Sequence, residues 1–502
     1  MQQYLLGFDL GSSSVKVSLV DSSTGHVAAS AQSPKEEMPM LAVKPGWAEQ
    51  DPEMWWEHAV KATRECLAKS GVSAANIEAI GISYQMHGLV CVDREHRVLR
   101  PSIIWCDSRA VGIGEKAATA LGVSYCLEHY LNSPGNFTAS KLAWVKENEP
   151  ENFARIYKVM LPGDYIAMKL SGEISTTDTG LSEGIFWDYR AGGIADSLLA
   201  HYGIDRSLLA DIKPVFSVQA EVNEAAAKEL GLRQGIKISY RAGDQPNNAF
   251  SLNVLNPGET AATAGTSGVI YSVTEKNAFD PRSRVNTFVH VNNTSANPRN
   301  GVLLCVNGTG ILNSWLRRNI QNSGQGYEYD KMNALASSSP IGSDGLVLLP
   351  FGNGAERVLE NRNIDGSFHG LNFNRHGQPH IFRAAQEGIV FALKYGFDVL
   401  RTMGLETKVI RAGHANMFLS PLFREAFVNT IGARVELYDT DGSKGAAIGA
   451  GVGAGVFGSF SDAFGGLRLI KSEDPDSSKT SQYAEAYSRW LNRLNRELGP
   501  GA

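Results

Sequence analysis

Cysteine is scarce in this chain, and nothing pairs the few residues present. The five cysteines (Cys66, Cys91, Cys106, Cys126 and Cys305) are scattered, with no C-x-x-C pair and no histidine at metal-binding spacing. That excludes a disulfide framework and a structural zinc, and it suits a reducing compartment. A basic excess is also missing: a formal charge of −5 leaves no footprint for nucleic acid and argues against a membrane-surface role. No apolar run approaches the roughly 20 residues that cross a bilayer. The chain enters a strand almost at once, at Tyr4-Leu5-Leu6-Gly7-Phe8, without a basic region or cleavage site. No secretory leader is therefore expected, and the expected location is cytoplasmic. Low-complexity segments and flexible linkers are lacking too.

What is present is length enough for more than one core. At 502 residues, with 43% hydrophobic and 20% charged residues, two or three globular domains are expected. Strand-like and helix-like stretches alternate. Residues 4–9, 15–20 and 26–31 read as a three-stranded opening. Asp51-Pro52-Glu53 starts an amphipathic helix to about Ser70, with an Asp cap and Pro at the first helical position. Strands follow at 77–83 and 237–242, then a second hairpin at 259–264 and 269–274. Later come a strand at 302–306, a glycine turn Gly308-Thr309-Gly310 and long helices at 380–403 and 421–431. The small-residue stretch 445–458 reads as a closely packed helix under a ligand. The division is expected near residue 250, giving an N-terminal domain over 1–250, a C-terminal domain over 251–502 and a cleft between similar halves.

One pattern occurs in both halves. Near the N-terminus it reads Phe8-Asp9-Leu10-Gly11-Ser12-Ser13-Ser14-Val15-Lys16-Val17, and later Ala264-Gly265-Thr266-Ser267-Gly268-Val269-Ile270-Tyr271. Each is a hairpin with a hydroxyl-lined turn, in which glycine lets the backbone approach closely and successive N–H groups form an anion pocket. Two such hairpins facing each other suit a polyphosphate, and Asp9 and Lys16 flank the first turn as a Mg²⁺-binding carboxylate and a cation. The plainer alternatives are a solvated turn acid and a solvated lysine. Asp244 ends a strand, follows Gly243 and precedes Pro246 at a helix start. A carboxylate there can accept a proton from a hydroxyl nucleophile, or simply cap the helix.

These hairpins, the central Gly243-Asp244 and two further segments together resemble the FGGY carbohydrate kinases over nearly the whole chain. Phe137-Thr138-Ala139-Ser140-Lys141-Leu142-Ala143-Trp144 is similar to the family's N-terminal signature. Gly366-Ser367-Phe368-His369-Gly370-Leu371 through Ala384-Ala385-Gln386-Glu387 is similar to the C-terminal one, with Gln386 where the family usually has an apolar residue. The resemblance implies two actin-like (ribonuclease H-like) α/β domains related by duplication, with ATP and Mg²⁺ as cofactors.

Within the family, Tyr84-Gln85-Met86-His87-Gly88 and Ile104-Trp105-Cys106-Asp107-Ser108-Arg109 resemble the substrate segments of members that act on xylulose. The implied reaction is ATP-dependent phosphorylation of D-xylulose, with Asp244 as general base and Gln85, Met86, His87, Asp107 and Asp244 around the sugar. His87 can donate to and accept from hydroxyls, or be a satisfied core histidine. Asp107 can be a substrate contact or half of an ion pair with Arg109. Asp9 is assigned to Mg²⁺, Ser12 and Lys16 to the γ-phosphate, and Gly265 and Thr266 to the β-side phosphates. Gly310 and Asn313 (or Ser314) would meet the ribose, and Gly413 and Ala415 the adenine. There His414 replaces a glycine of the family's Gly-Gly-Ala, and the segment before Ser420-Pro421 is longer. Expected partners are a sugar and a nucleotide, with no nucleic acid and no membrane; a homodimer is compatible. The alternatives are another ketose, polyol or sugar acid as substrate, or an actin-like ATPase carrying the same phosphate hairpins.

Overall fold

Tyr4–Leu10 (β1), Val15–Asp21 (β2) and Val27–Ser33 (β3) form an antiparallel meander, and β1 is buried almost along its length. The computed structural model describes residues 2–320 and 327–499. After Pro52–Ser70 (α1) the chain returns as Ile77–Tyr84 (β4), parallel to β1. The short edge strand Ala220–Glu221 (β5) precedes Lys237–Gly243 (β6), which pairs parallel to β4. The first sheet therefore runs β5-β6-β4-β1-β2-β3. Between β4 and β6 lie the helices Thr138–Asn148 (α2) and Asp178–Glu183 (α3), within a lobe that has its own apolar cluster.

The second half repeats the plan. After Asp244–Ser251 (α4), strands Glu259–Ala264 (β7), Gly268–Thr274 (β8), Asn286–Val289 (β9) and Asn300–Val306 (β10) pair antiparallel. Helices Gly310–Asn319 (α5), Tyr329–Ser337 (α6) and Gln378–Thr402 (α7) follow. Val409–Gly413 (β11) pairs parallel to β7; after Pro421–Ile431 (α8), Arg434–Tyr438 (β12) pairs parallel to β11. Helix Gly442–Gly453 (α9), edge strand Leu469–Glu473 (β13) and helix Ser477–Leu498 (α10) complete the chain. The order β10-β8-β7-β11-β12 reproduces β3-β2-β1-β4-β6, a meander followed by two parallel strands. These are two actin-like α/β units related by duplication.

The units are bound together by α9. It follows β12 of the second sheet, yet it lies on β1 and β4 of the first. The contact is backbone on backbone: a side chain at Gly7 would strike the Ser443 carbonyl, and one at Gly81 the Ala446 carbonyl. On the helix side, Gly449 sits on the Tyr240 ring. The expected small-residue helix is thus real and closely packed, but it starts at Gly442 and stops at Gly453, because Asp441 caps it through the Lys444 amide. Gly81→Ala drives a methyl into that carbonyl, and overpacking of this kind costs about 1–3 kcal/mol. Gly112→Ala, at a helical glycine facing open space, is neutral or stabilising by about 0.5–1 kcal/mol. Urea unfolding of both variants checks this contrast, and equal midpoints would contradict it.

Candidate functional site

The mouth of the cleft is built from the ends of β1, β2 and β6 and the start of α9. Asp9 stands opposite Lys16 in the β1–β2 register and beside Ser83 of β4, whose hydroxyl donates to its Oδ1 at 2.9 Å. Its other oxygen faces Gly442, where a side chain would collide with it. Lys16 Nζ reaches across to Asp441 Oδ2 at 2.7 Å. Asp441 Oδ1 accepts from the Lys444 amide at 3.0 Å and from Ser443 Oγ at 2.8 Å. The lysine assigned to a phosphate is therefore paired with the acid that caps α9. Burial raises the pKa of Asp441, but Lys16 and these hydrogen bonds outweigh it and hold the carboxyl below its usual range. Asp9 goes the other way: burial lifts its pKa, Ser83 opposes the shift and the charge of Asp441 adds to it.

Asp244 is the first residue of α4, at the carboxyl end of β6, the position where ligands gather in α/β folds. It is half-buried and still open to the cleft. Burial, reinforced by the charge of Asp9, pushes its pKa up to about 7. Behind it lies Glu183, which the sequence reading did not single out. Both of its carboxyl oxygens are buried without a hydrogen-bond partner among the described residues. Burial raises its pKa well above the usual carboxylate range; the neighbouring Tyr84 hydroxyl opposes the shift, and the charges of Asp244 and Asp164 add to it. A side chain at Gly243 would meet Glu183 Oε2 at 2.6 Å and Met86 Cγ at 2.6 Å. Glycine is thus required where β6 turns into α4.

Across the cleft mouth, β4 ends and leads into the segment Gln85–Gly88. His87 adopts a left-handed φ of 62°, which turns its ring between Phe137 and Phe288 at centroid distances of 4.9 and 5.3 Å. Its Nδ1 lies 2.8 Å from the Glu183 carbonyl. A carbonyl only accepts, so Nδ1 carries the proton and Nε2 is left as an acceptor. Burial and the Lys141 charge lower the His87 pKa to about 3, so the ring is neutral at working pH. Lys141, a signature residue on α2, holds the His87 and Ile104 carbonyls at 2.8 and 3.0 Å, and burial lowers its pKa to about 7. Gln85 donates to Gln50 Oε1 at 3.3 Å, and Gln50 donates to the Ser12 carbonyl at 2.7 Å, so the Gln85–Gly88 segment and the β1–β2 turn share one strut.

Asp107 is not placed to meet a ligand. It is fully buried, and Arg109 and the amides of Ala48 and Arg109 occupy both of its oxygens. Arg109 in turn stacks on Trp47 and Trp144 at 3.8 and 4.8 Å. The pair is an interior brace rather than a surface ion pair.

In the second half, the β7–β8 turn and α5 enclose a cavity of about 590 Å³ whose lining includes Gly265, Thr266, Gly310, Asn313 and Ser314. Gly310 and Ile311 donate their amides to the carbonyls of Gly265 and Thr266, at 2.9 and 3.2 Å. Gly310 therefore lacks a side chain because the turn presses against it. Gly413 and Ala415 do not line the cavity. The longer segment folds into a 3-10 turn, Asn416–Leu419, and this turn with Ser420 forms the wall instead, while His414 is exposed outside it. A larger concavity of about 780 Å³, between α1 and residues 95–101, contains none of the cleft residues. Its Lys169–Glu53 pair is satisfied internally.

No group of three or more His, Cys, Asp or Glu side chains is arranged around a metal position among the described residues. No described helix is long and apolar enough to cross a membrane. Asp441 and Glu183 were missed in the sequence. Asp441-Gly442-Ser443 repeats the acid–glycine–serine chemistry of the first hairpin and was readable as such; Glu183 carried no local signal.

The models of the FGGY family of carbohydrate kinases match residues 4–251 (N-terminal domain) and 260–456 (C-terminal domain). The xylulose kinase of Escherichia coli (strain K12) is 29% identical over 507 residues, covering 99% of each chain. A solved xylulose kinase from Rhodospirillum rubrum is similar at a TM-score of 0.85 and 25% identity, over 98% of each chain. A gluconate kinase from Lactobacillus acidophilus has a TM-score of 0.89 at 23% identity, covering 100% of this chain and 99% of that one, which bears on the fold alone.

His87 gives a stability test. Its unfolded-state pKa is near 6.5 and its folded value about 3, so below pH 6.5 the unfolded chain binds a proton that the folded one refuses. Stability conferred by the neutral ring is full above pH 6.5 and is lost as pH falls toward 3. In His87→Gln, the drop in unfolding free energy between pH 7 and pH 5 is smaller than in the parent protein. Identical drops, measured by urea titration at the two pH values, would show that His87 is not buried neutral.

Proposed function

The chain belongs to the FGGY family of carbohydrate kinases, and we propose that it transfers the γ-phosphoryl group of ATP to the terminal hydroxyl of D-xylulose, giving D-xylulose 5-phosphate and ADP. The observation that carries this reading is Asp244, a carboxyl open to the cleft between the halves whose pKa of about 7 is matched to proton transfer at neutral pH. The xylulose kinases among its relatives, and the Gln85-Met86-His87-Gly88 segment beside that carboxyl, support the choice of sugar.

In this reading Asp244 accepts the hydroxyl proton as the sugar oxygen bonds to the γ-phosphorus and the bond to the β-phosphate oxygen breaks. The neutral His87 ring offers Nε2 as an acceptor for a sugar hydroxyl, Gln85 supplies a buried amide oxygen with no partner among the described residues, and Met86 is the apolar wall. Asp107 and Lys141 act behind them, holding the loop and the His87 backbone. Ser12, Gly265 and Thr266 cradle phosphates. Lys16 acts near them while paired to Asp441, and Gly310 seats the turn. Asn313 reaches the ribose, and the wall from Asn416 to Ser420 takes the base in place of Gly413 and Ala415.

Asp9 suits Mg²⁺. A side chain at Gly442 would collide with its free oxygen, the charge of Asp441 bears on Asp9, and the charge of Asp9 bears on Asp244. One or two carboxylates, completed by waters and phosphates, is how proteins usually hold this ion, which fits the absence of a larger ligand cluster. When bound, Mg²⁺ neutralises phosphate charge. In this reading the division between domains falls near residue 250, in the last turn of α4.

Asp244→Asn keeps the volume and removes the base, so kcat falls by roughly 10²–10⁴ with KM little changed. Because Asp244 must be ionised, kcat of the parent enzyme rises with pH through about 7 and then levels off. Turnover near normal in Asp244→Asn would remove this residue from its role. ADP release across ketoses, polyols, sugar acids and glycerol tests the sugar: D-xylulose gives the highest kcat/KM. Preference for another sugar overturns the substrate while leaving the Asp244 chemistry standing.

A further inference from the structure

Three side chains from three elements form a hydrogen-bonded relay behind the nucleotide cavity. Ser420 caps α8, its Oγ accepting from the Phe423 amide at 3.3 Å. That lone pair is committed, so the hydroxyl proton is free to donate to Gln386 Oε1, 2.8 Å away. Gln386, buried on α7, then uses its Nε2 to donate to Asn333 Oδ1 on α6 at 2.9 Å. Each member thus passes on the polarity of the one before, starting from the fixed N–H of a helix terminus. Ser420 and Asn333 line the cavity, whereas Gln386 does not.

The consequence lies at the end of the relay. An amide offers one acceptor oxygen and one NH₂ group. With Asn333 Oδ1 occupied by Gln386, the NH₂ group is what remains for a ligand. An apolar residue at 386 would fill the same space and leave the Asn333 amide free to present either end. We infer that Gln386 is a positioning residue that fixes Asn333 as a hydrogen-bond donor to the base of the bound nucleotide, and so selects a base edge carrying an acceptor atom. This rests on reading the cavity as the nucleotide site. The partner of the NH₂ group is a ring nitrogen of a purine.

The test is equilibrium binding of ADP and its 1-, 3- and 7-deaza analogues to the full-length protein by calorimetry, without sugar. The parent protein binds one deaza analogue roughly three- to tenfold more weakly than ADP, the weight of a single neutral hydrogen bond. Gln386→Leu, similar in volume, binds ADP more weakly by a similar factor and no longer separates that analogue from ADP. Gln386→Glu cannot donate, so Asn333 turns its NH₂ group to the carboxylate and offers its oxygen to the cavity; ADP binding falls at least as far. A purely structural role would weaken all four ligands alike and preserve the discrimination, which overturns the inference, as does unchanged ADP binding in both variants. Ser314→Phe obstructs the cavity. If it leaves ADP binding intact, the nucleotide reading of the cavity fails. If it abolishes binding while the Gln386 variants keep the parent's discrimination, only the relay fails.

Discussion

The close approach of α9 to the first sheet is the contact on which the rest of the site depends. Two parallel strands present glycine at Gly7 and Gly81 so that helix carbonyls can lie directly on them. The helix answers with its own run of Gly and Ala. Backbone-to-backbone packing has no side chains to re-adjust, so it sets the position of α9 within narrow limits. The helix N-terminus is fixed in the same way, and with it Asp441, Gly442 and Ser443. Lys16 and Ser18 of the first hairpin bond directly to those residues. A segment from the end of the chain thereby becomes part of the floor beneath a turn near its start.

The electrostatics follow from that placement. Asp9, Asp244 and Asp441 arrive from a strand end, a helix start and a helix cap, each in local geometry any protein would tolerate. Brought together they diverge. Asp441 has a lysine, one helix amide and the Ser443 hydroxyl, which hold its pKa below the usual range, whereas Asp9 and Asp244 lose solvent and feel neighbouring charge, so their affinity for protons rises. Glu183 behind them is buried as well, and burial raises its pKa well above the usual carboxylate range. The two phosphate turns are likewise unequal. The first carries Asp9 and Lys16; the second carries no ionisable side chain and is held by the amides of Gly310 and Ile311.

Much of this was legible in the residues. The repeated hairpins, the strand into Gly243-Asp244 and the long helix of the second half fall within a few residues of where periodicity and turn chemistry put them. Asp9 and Asp244 were legible because an acid beside glycine at a strand end has few structural duties. Lys16, Asp107 and Gly310 were harder, because their partners lie across a sheet, in another loop or in another hairpin. Asp107 sits two residues from Arg109, a spacing that reads as a surface pair; only the surrounding tryptophans make it a buried brace. At Gly413-His414-Ala415, local alternation does not show that the following residues coil into a 3-10 turn and take over the cavity wall.

The amino-acid order by itself determined the α/β alternation, the duplication, the phosphate-type turns and the acids at strand ends, because these arise from interactions between residues near in sequence. The tertiary structure alone decided which acids share a field, which lysine is already paired, which tautomer His87 holds and which end of Asn333 faces a ligand. Those properties depend on distance, burial and hydrogen-bond polarity between segments well separated in sequence, 53 residues for Asn333 and Gln386 and 425 for Lys16 and Asp441. The pairing of Lys16 and the field that Asp441 adds at Asp9 arise where α9 closes on the first sheet.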